Sequence, residues 1–142
     1  MRQPSFILST VTLPPKTQIA LRFLWVLVIS IVIVGSLLPN TSTPMRALDS
    51  LHLSDTVEHF GAYAFLTFLP ALHERRHFIV LAALGIMLLG VSLEFAQLFA
   101  DGRSWQFSDI AADAAGVCVG LLTGIPMRSA LMVRLLLSRT TR

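Results

Sequence analysis

The sequence predicts an all-α, polytopic membrane protein: a four-helix transmembrane bundle with both termini on the cytoplasmic side. Three observations carry this expectation. Hydrophobic residues make up 54% of the 142-residue chain, charged residues only 13%, and the mean hydropathy is +0.72; a soluble domain carries about 25% charged residues. The apolar residues gather into four runs of spanning length, 19–38, 56–73, 78–99 and 109–125, joined by short polar connections. The bases also sort by side: Arg2, Lys16, Arg22, Arg75, Arg76, Arg128, Arg134, Arg139 and Arg142 fall on one side of such a bundle, nine of the eleven, and only Arg46 and Arg103 on the other. Cytoplasmic connections are the ones enriched in Lys and Arg, so the nine mark the inside.

Composition also narrows the partners. The pI is near 10, but the bases lie between apolar segments and aromatics are not interleaved with them, so no nucleic acid is expected. The expected partner is the lipid bilayer. Cys118 is the single cysteine, which excludes an internal disulfide and a cysteine-based metal cluster. In an apolar segment it reads as a small packing residue.

Residues 1–18, with Arg2, Lys16 and three prolines, read as a basic cytoplasmic leader. The run 19–38 follows, its only charge Arg22 near the start and able to snorkel. A secretory signal peptide competes for this reading, but the run is too long and Pro39-Asn40-Thr41 offers no small-residue cleavage site. Residues 39–54 form a polar connection that Pro39 and Pro44 are expected to keep out of regular helix. In 56–73 and the residue before it, Asp55, His59 and Tyr63 recur every fourth position. One helix face therefore carries acid, imidazole and phenol in a row, with Glu58 beside them.

His73-Glu74-Arg75-Arg76-His77 is a charged turn. The span 78–99 is apolar or small until Glu94 and Gln97, which at i and i+3 share a face. Asp101-Gly102 is a turn signal, and Trp105 with Phe99 and Phe107 suits an interfacial aromatic belt. Ser108 is placed to cap the fourth helix, and Pro126 to end it. Along 109–125, Gly116, Gly120 and Gly124 repeat every fourth residue. That small-residue face suits close helix packing, and Asp109 and Asp113 lie on the same side. Residues 127–142 read as a basic cytoplasmic tail.

The connection between the third and fourth spans is the functional focus. Residues 94–116 hold four of the chain's eight carboxylates and Arg103. With both termini inside, Asp55, Glu58, His59, Tyr63, Glu94, Gln97, Arg103, Asp109 and Asp113 converge on the outer leaflet. Ionisable groups inside a membrane are costly and usually functional.

These residues carry a resemblance. Asp55-x3-His59-x3-Tyr63, Glu94-x2-Gln97, Gly102-Arg103 and Asp109-x3-Asp113-x2-Gly116 resemble, in order and spacing, the signature of the VanZ-like family. The resemblance covers about 55–124 and implies a small four-helix, multi-pass protein of the bacterial inner membrane; the family's namesake is associated with resistance to the glycopeptide teicoplanin. Thr56 stands where the family commonly has lysine and Asp113 where it commonly has asparagine, and both changes make this site more acidic.

Independently of the family, five carboxylates (Asp55, Glu58, Glu94, Asp109, Asp113) face Arg103 and His59. Water in an outward cavity, protonation, a bound divalent cation or a hydrogen-bonded clasp between helices would each relieve the excess. Three functional classes follow. The first is an outward-facing acidic cavity that takes an envelope lipid or glycan precursor, a reading to which the resemblance contributes. The second is a membrane-embedded hydrolase or transferase with His59 or Glu94 as base and a divalent metal held by the acids. The third is a small structural subunit with a membrane-protein partner. The chain holds no phosphate-binding glycine loop, no G-x-S-x-G and no H-E-x-x-H.

The arrangement makes one direct prediction. A reporter fused after Arg142 is expected in the cytoplasm and one inserted within 39–54 on the opposite side. Finding both in one compartment overturns it.

Overall fold

The computed structural model describes residues 13–39, 41–50, 53–99 and 106–140. Among these residues there are five α-helices and no strand: α1 (Pro15–Leu37), α2 (Thr43–Asp49), α3 (Asp55–His73), α4 (Arg76–Gln97) and α5 (Phe107–Thr140). Helices α1, α4 and the Phe107–Arg134 part of α5 are long and apolar enough to cross a membrane. Their outward surfaces agree, with Phe23, Leu84, Leu88 and Leu122 all well exposed. The chain is a membrane protein built on transmembrane helices. Helix α3 has the length of a span, but Asp55, Glu58 and His59 dilute its apolar character, so it does not stand as a span by composition alone.

Local chemistry explains most helix ends, and several differ from the sequence expectation. Helix α1 starts at Pro15 rather than at residue 19, because proline fits the first turn, where its missing N–H would have no partner. Residues 1–12 of the expected leader lie outside the described residues. The connection 39–54 is not free of regular structure: α2 forms inside it, with Pro44 in its first turn for the same reason. Ser54 caps α3 by accepting a hydrogen bond from the Val57 N–H at 3.4 Å, and Asp55 and Glu58 in the first turn oppose the helix dipole. The charged turn between α3 and α4 contracts to Glu74 and Arg75.

Helix α5 differs most. It begins at Phe107, so Ser108 lies within the first turn instead of capping it. It also continues through Pro126 to Thr140. An interior proline removes one ladder donor, but strong helix formers follow it, and apolar surroundings make the unpaired backbone of a broken helix costlier still. The expected boundary at Pro126, between the fourth span and a separate tail 127–142, is therefore not a helix boundary.

Helix α3 is the centre of the bundle and packs against α1, α4 and α5. Tyr63 and Leu66 from α3, Ala83 and Ile86 from α4 and Val117 from α5 form the core, and Trp25, Val28, Ile29 and Val32 of α1 lie against it. Helices α3 and α5 run side by side in the same direction and in constant register. Thr56 meets Asp109 and His59 meets Asp113, pairs 53 and 54 positions apart. Further along, Gly116 lies against Phe60 and Ala64, Gly120 against Ala64, Thr67 and Phe68, and Gly124 against Phe68 and Ala71. Cys118, by contrast, is exposed on the outer side of α5 rather than packed.

Polar contacts also join α1 to the bundle. The Trp25 indole N–H donates to the Leu66 carbonyl at 2.8 Å. That carbonyl would ordinarily accept from the residue four positions on, but that residue is Pro70, which has no N–H. At the same end of the bundle Arg22 pairs with Glu74 through both guanidinium and carboxylate arms. This hydrogen-bonded Arg22 guanidinium holds the Glu74 carboxyl below the usual carboxylate range, with His73 and Arg128 adding to the effect.

The register rests on the bare faces of the α5 glycines. A Cβ at Gly120 would come within 2.9 Å of the Phe68 backbone nitrogen and of Thr67 Cβ, atoms that cannot swing away. Gly120→Leu is therefore expected to lower the melting temperature of the detergent-solubilised chain, by an overpacking cost of about 1–3 kcal/mol. Gly61→Leu, which meets nothing within 4 Å, is the control expected to leave it unchanged. Equal melting temperatures for the two variants would refute this role for Gly120.

Candidate functional site

The chemistry collects where α3 and α5 begin and α4 ends. Helix α3 contributes Thr56, His59 and Tyr63, α4 contributes Glu94, and α5 contributes Asp109 and Asp113. Glu94, Asp109 and Asp113 are buried, and His59 is half-buried with 13% of its side chain exposed. The imidazole is the hub. Its Nδ1 lies 2.9 Å from Asp113 Oδ1, and its Nε2 lies 3.9 Å from Glu94 Oε1. The ring stacks in parallel on Tyr63, with centroids 6.3 Å apart and planes 7° from coplanar.

Each acid is held by one oxygen. The Thr56 hydroxyl donates to Asp109 Oδ1 at 3.2 Å, and the Gln106 backbone N–H donates to Glu94 Oε2 at 3.2 Å. Two carboxylate oxygens, Glu94 Oε1 and Asp113 Oδ2, are buried without a hydrogen-bond partner. Asp113 Oδ2 rests against Gly90 of α4, where a Cβ would come within 2.5 Å of it and about as close to the Tyr63 ring and hydroxyl, 3.0 and 3.1 Å.

The other residues of the sequence prediction are placed differently. Asp55 is exposed at the start of α3, and Glu58 is half-buried in the same turn. Gln97 is buried, but its amide donates to the Ser36 carbonyl in the last turn of α1 at 3.2 Å, satisfying one of the carbonyls a helix end leaves open. Arg103 and Trp105 lie outside the described residues; Phe99 and Phe107, their expected aromatic companions, are 89% and 71% exposed. Gly116, Gly120 and Gly124 lie on the α3 contact described above.

A separate groove lies elsewhere. It is an apolar recess of about 470 Å³ between α1, α3 and α4, lined by Trp25, Ile29, Pro70, Phe78, Leu81 and Ile86 among others. None of the acid cluster lines it.

Comparison with known proteins decides the family. The VanZ/LLP1 family model matches residues 17–128, most of the chain. The chain belongs to the VanZ/LLP1 family. The match begins in α1 and ends two residues beyond Pro126, so it takes in every residue of the acid cluster. Neither a curated protein nor a solved structure matches this VanZ/LLP1 chain.

Sequence reasoning missed three participants. Thr56 lies three positions before His59, and helical spacing could have marked it, but Asp55 at four positions took its place. The Gln106 contact is a backbone N–H and leaves no trace in residue type. Gly90 lies in an apolar run that also holds Gly85, and only its neighbours reveal why a side chain is excluded there.

That exclusion can be tested. Gly90→Ala should cost about 1–3 kcal/mol of stability, read as a lower melting temperature, because the methyl group would displace both the Asp113 carboxylate and Tyr63. Gly85→Ala on the same helix meets nothing within 4 Å and should be neutral or slightly stabilising. A Gly90→Ala variant as stable as Gly85→Ala would show that the α4 backbone does not confine the two side chains.

Proposed function

We propose that this VanZ/LLP1 protein is a four-span inner-membrane protein with both termini cytoplasmic. In this reading the His59, Glu94, Asp109 and Asp113 cluster forms the floor of an outward-facing acidic cavity. The cavity binds the cationic portion of an envelope lipid or glycan precursor and thereby alters the sensitivity of the cell surface. The observation that carries the reading is the burial of three carboxylates around one imidazole at a single end of the bundle. Burying acids in such excess is costly unless a positive group completes the site. The nine-to-two division of basic residues supports the outward orientation of that end. Family membership supports an envelope role, since the family takes its name from a protein associated with teicoplanin resistance.

The discriminating variant is Glu94→Gln, which keeps shape and hydrogen bonding but removes the ionisable group. It should melt like the parent in detergent yet fail to restore glycopeptide or other envelope sensitivity in cells lacking the protein. Glu94→Ala should lose both stability and function. Full activity of the glutamine variant would overturn the reading and leave the cluster as a hydrogen-bonded clasp between α3, α4 and α5.

A further inference from the structure

We propose that His59, Glu94 and Asp109 bind one divalent transition-metal ion, with Asp113 as the residue that positions His59 for it. The three residues come from three helices, and each offers a ligand atom, all within 4.8 Å of one another. Glu94 is fully buried, and its Oε1 has no hydrogen-bond partner; it points towards His59 Nε2 at 3.9 Å. That separation is too long for a hydrogen bond between them. It is close to what an ion needs: ligands about 2.1 Å from a tetrahedral centre lie about 3.4 Å apart, so this pair would have to close by about half an ångström.

The surrounding contacts are those a metal site requires. Asp113 Oδ1 lies 2.9 Å from His59 Nδ1; an ionised carboxylate can only accept there, which puts the proton on Nδ1 and leaves the Nε2 lone pair facing Glu94. A carboxylate behind a histidine is the usual device for fixing a ligating imidazole and raising its basicity. The two carboxylate ligands are held in the same way, Asp109 by the Thr56 hydroxyl and Glu94 by the Gln106 N–H, each through one oxygen. His59, the partly exposed member, marks the side from which an ion would enter.

The donor set selects the ion. One imidazole nitrogen with two carboxylates suits Mn²⁺, Fe²⁺, Co²⁺ or Zn²⁺, whereas Mg²⁺ and Ca²⁺ prefer oxygen alone. The ion would also neutralise most of the charge that the buried acids concentrate. This inference rests on the proposed function only for the side of the membrane from which the ion arrives; binding itself is read on the purified chain and can fail independently of any cell phenotype.

The test uses the full chain in detergent, purified without a histidine tag, stripped with chelator and titrated separately with Zn²⁺ and Co²⁺. One ion per chain is expected. Co²⁺ should give visible absorption bands characteristic of low-coordinate nitrogen and oxygen ligation, and either metal should raise the melting temperature by mass action. His59→Ala and Glu94→Gln should each weaken binding by at least about 100-fold, and Asp113→Asn by about tenfold with stoichiometry unchanged. Asp55→Asn, at an exposed position, should leave affinity as in the parent. Each variant is melted without metal first; if Glu94→Gln is unstable, His59→Ala carries the comparison. Absence of stoichiometric binding to the folded parent overturns the proposal, as does binding that survives His59→Ala unchanged or is matched by Mg²⁺ at equal concentration.

Discussion

Close approach of α3 and α5 is the constraint on which the rest of the molecule depends. Two helices can share a register only where small residues let one backbone lie against the other. Gly116, Gly120 and Gly124 provide that strip, and Phe60, Ala64, Phe68 and Ala71 lie directly upon it. Because the two helices run in the same direction, the register set by the glycines carries forward to their first turns. There it brings Thr56 to Asp109 and His59 to Asp113. The packing strip and the polar cluster are thus two halves of one parallel interface. A shift of one turn in the apolar half would dissolve every contact in the polar half.

Both halves of this interface were partly legible in the sequence, for different reasons. The repeat of glycine every fourth residue announces a packing face whatever lies opposite. The spacing of Asp55, His59 and Tyr63 announces a polar face on α3 but not the neighbour it meets. At 3.6 residues per turn, Asp55 and Thr56 flank His59 on opposite sides, and only the position of α5 selects Thr56. Glu94 and Gln97 show the same ambiguity. Three residues on, a side chain has rotated about 60° from its starting direction, enough for Glu94 to face His59 while Gln97 reaches Ser36 of α1. Proline was misread in a consistent way. Pro15 and Pro44 lie in first turns and Pro126 inside a helix that continues, so the sequence position of a proline marks a missing donor and not in itself an end.

The two ends of the bundle handle charge by different means. At one end, acids are buried and exceed the single imidazole among them, so their arrangement depends on fixed geometry: a glycine on α4, a hydroxyl on α3 and a backbone N–H before α5. At the other, Glu74 meets an arginine whose side chain is more than half exposed, and the pair is of the surface kind that contributes little to stability. The conformational specificity therefore resides at the acid end. An apolar replacement of similar volume could hold the helices together there, but it would not distinguish one register from the next.

The Trp25–Leu66 hydrogen bond has a consequence for synthesis. Helix α1 has no buried residue and carries no charge after Arg22, so it can lodge in lipid before α3 is made. Helix α3 emerges later, less apolar and with the Leu66 carbonyl left open by Pro70. An open carbonyl in hydrocarbon is a defect that only a donor from another segment can repair. Trp25 is already waiting in the bilayer when that carbonyl arrives. The order of the segments along the chain thus makes the first helix a receptor for the third.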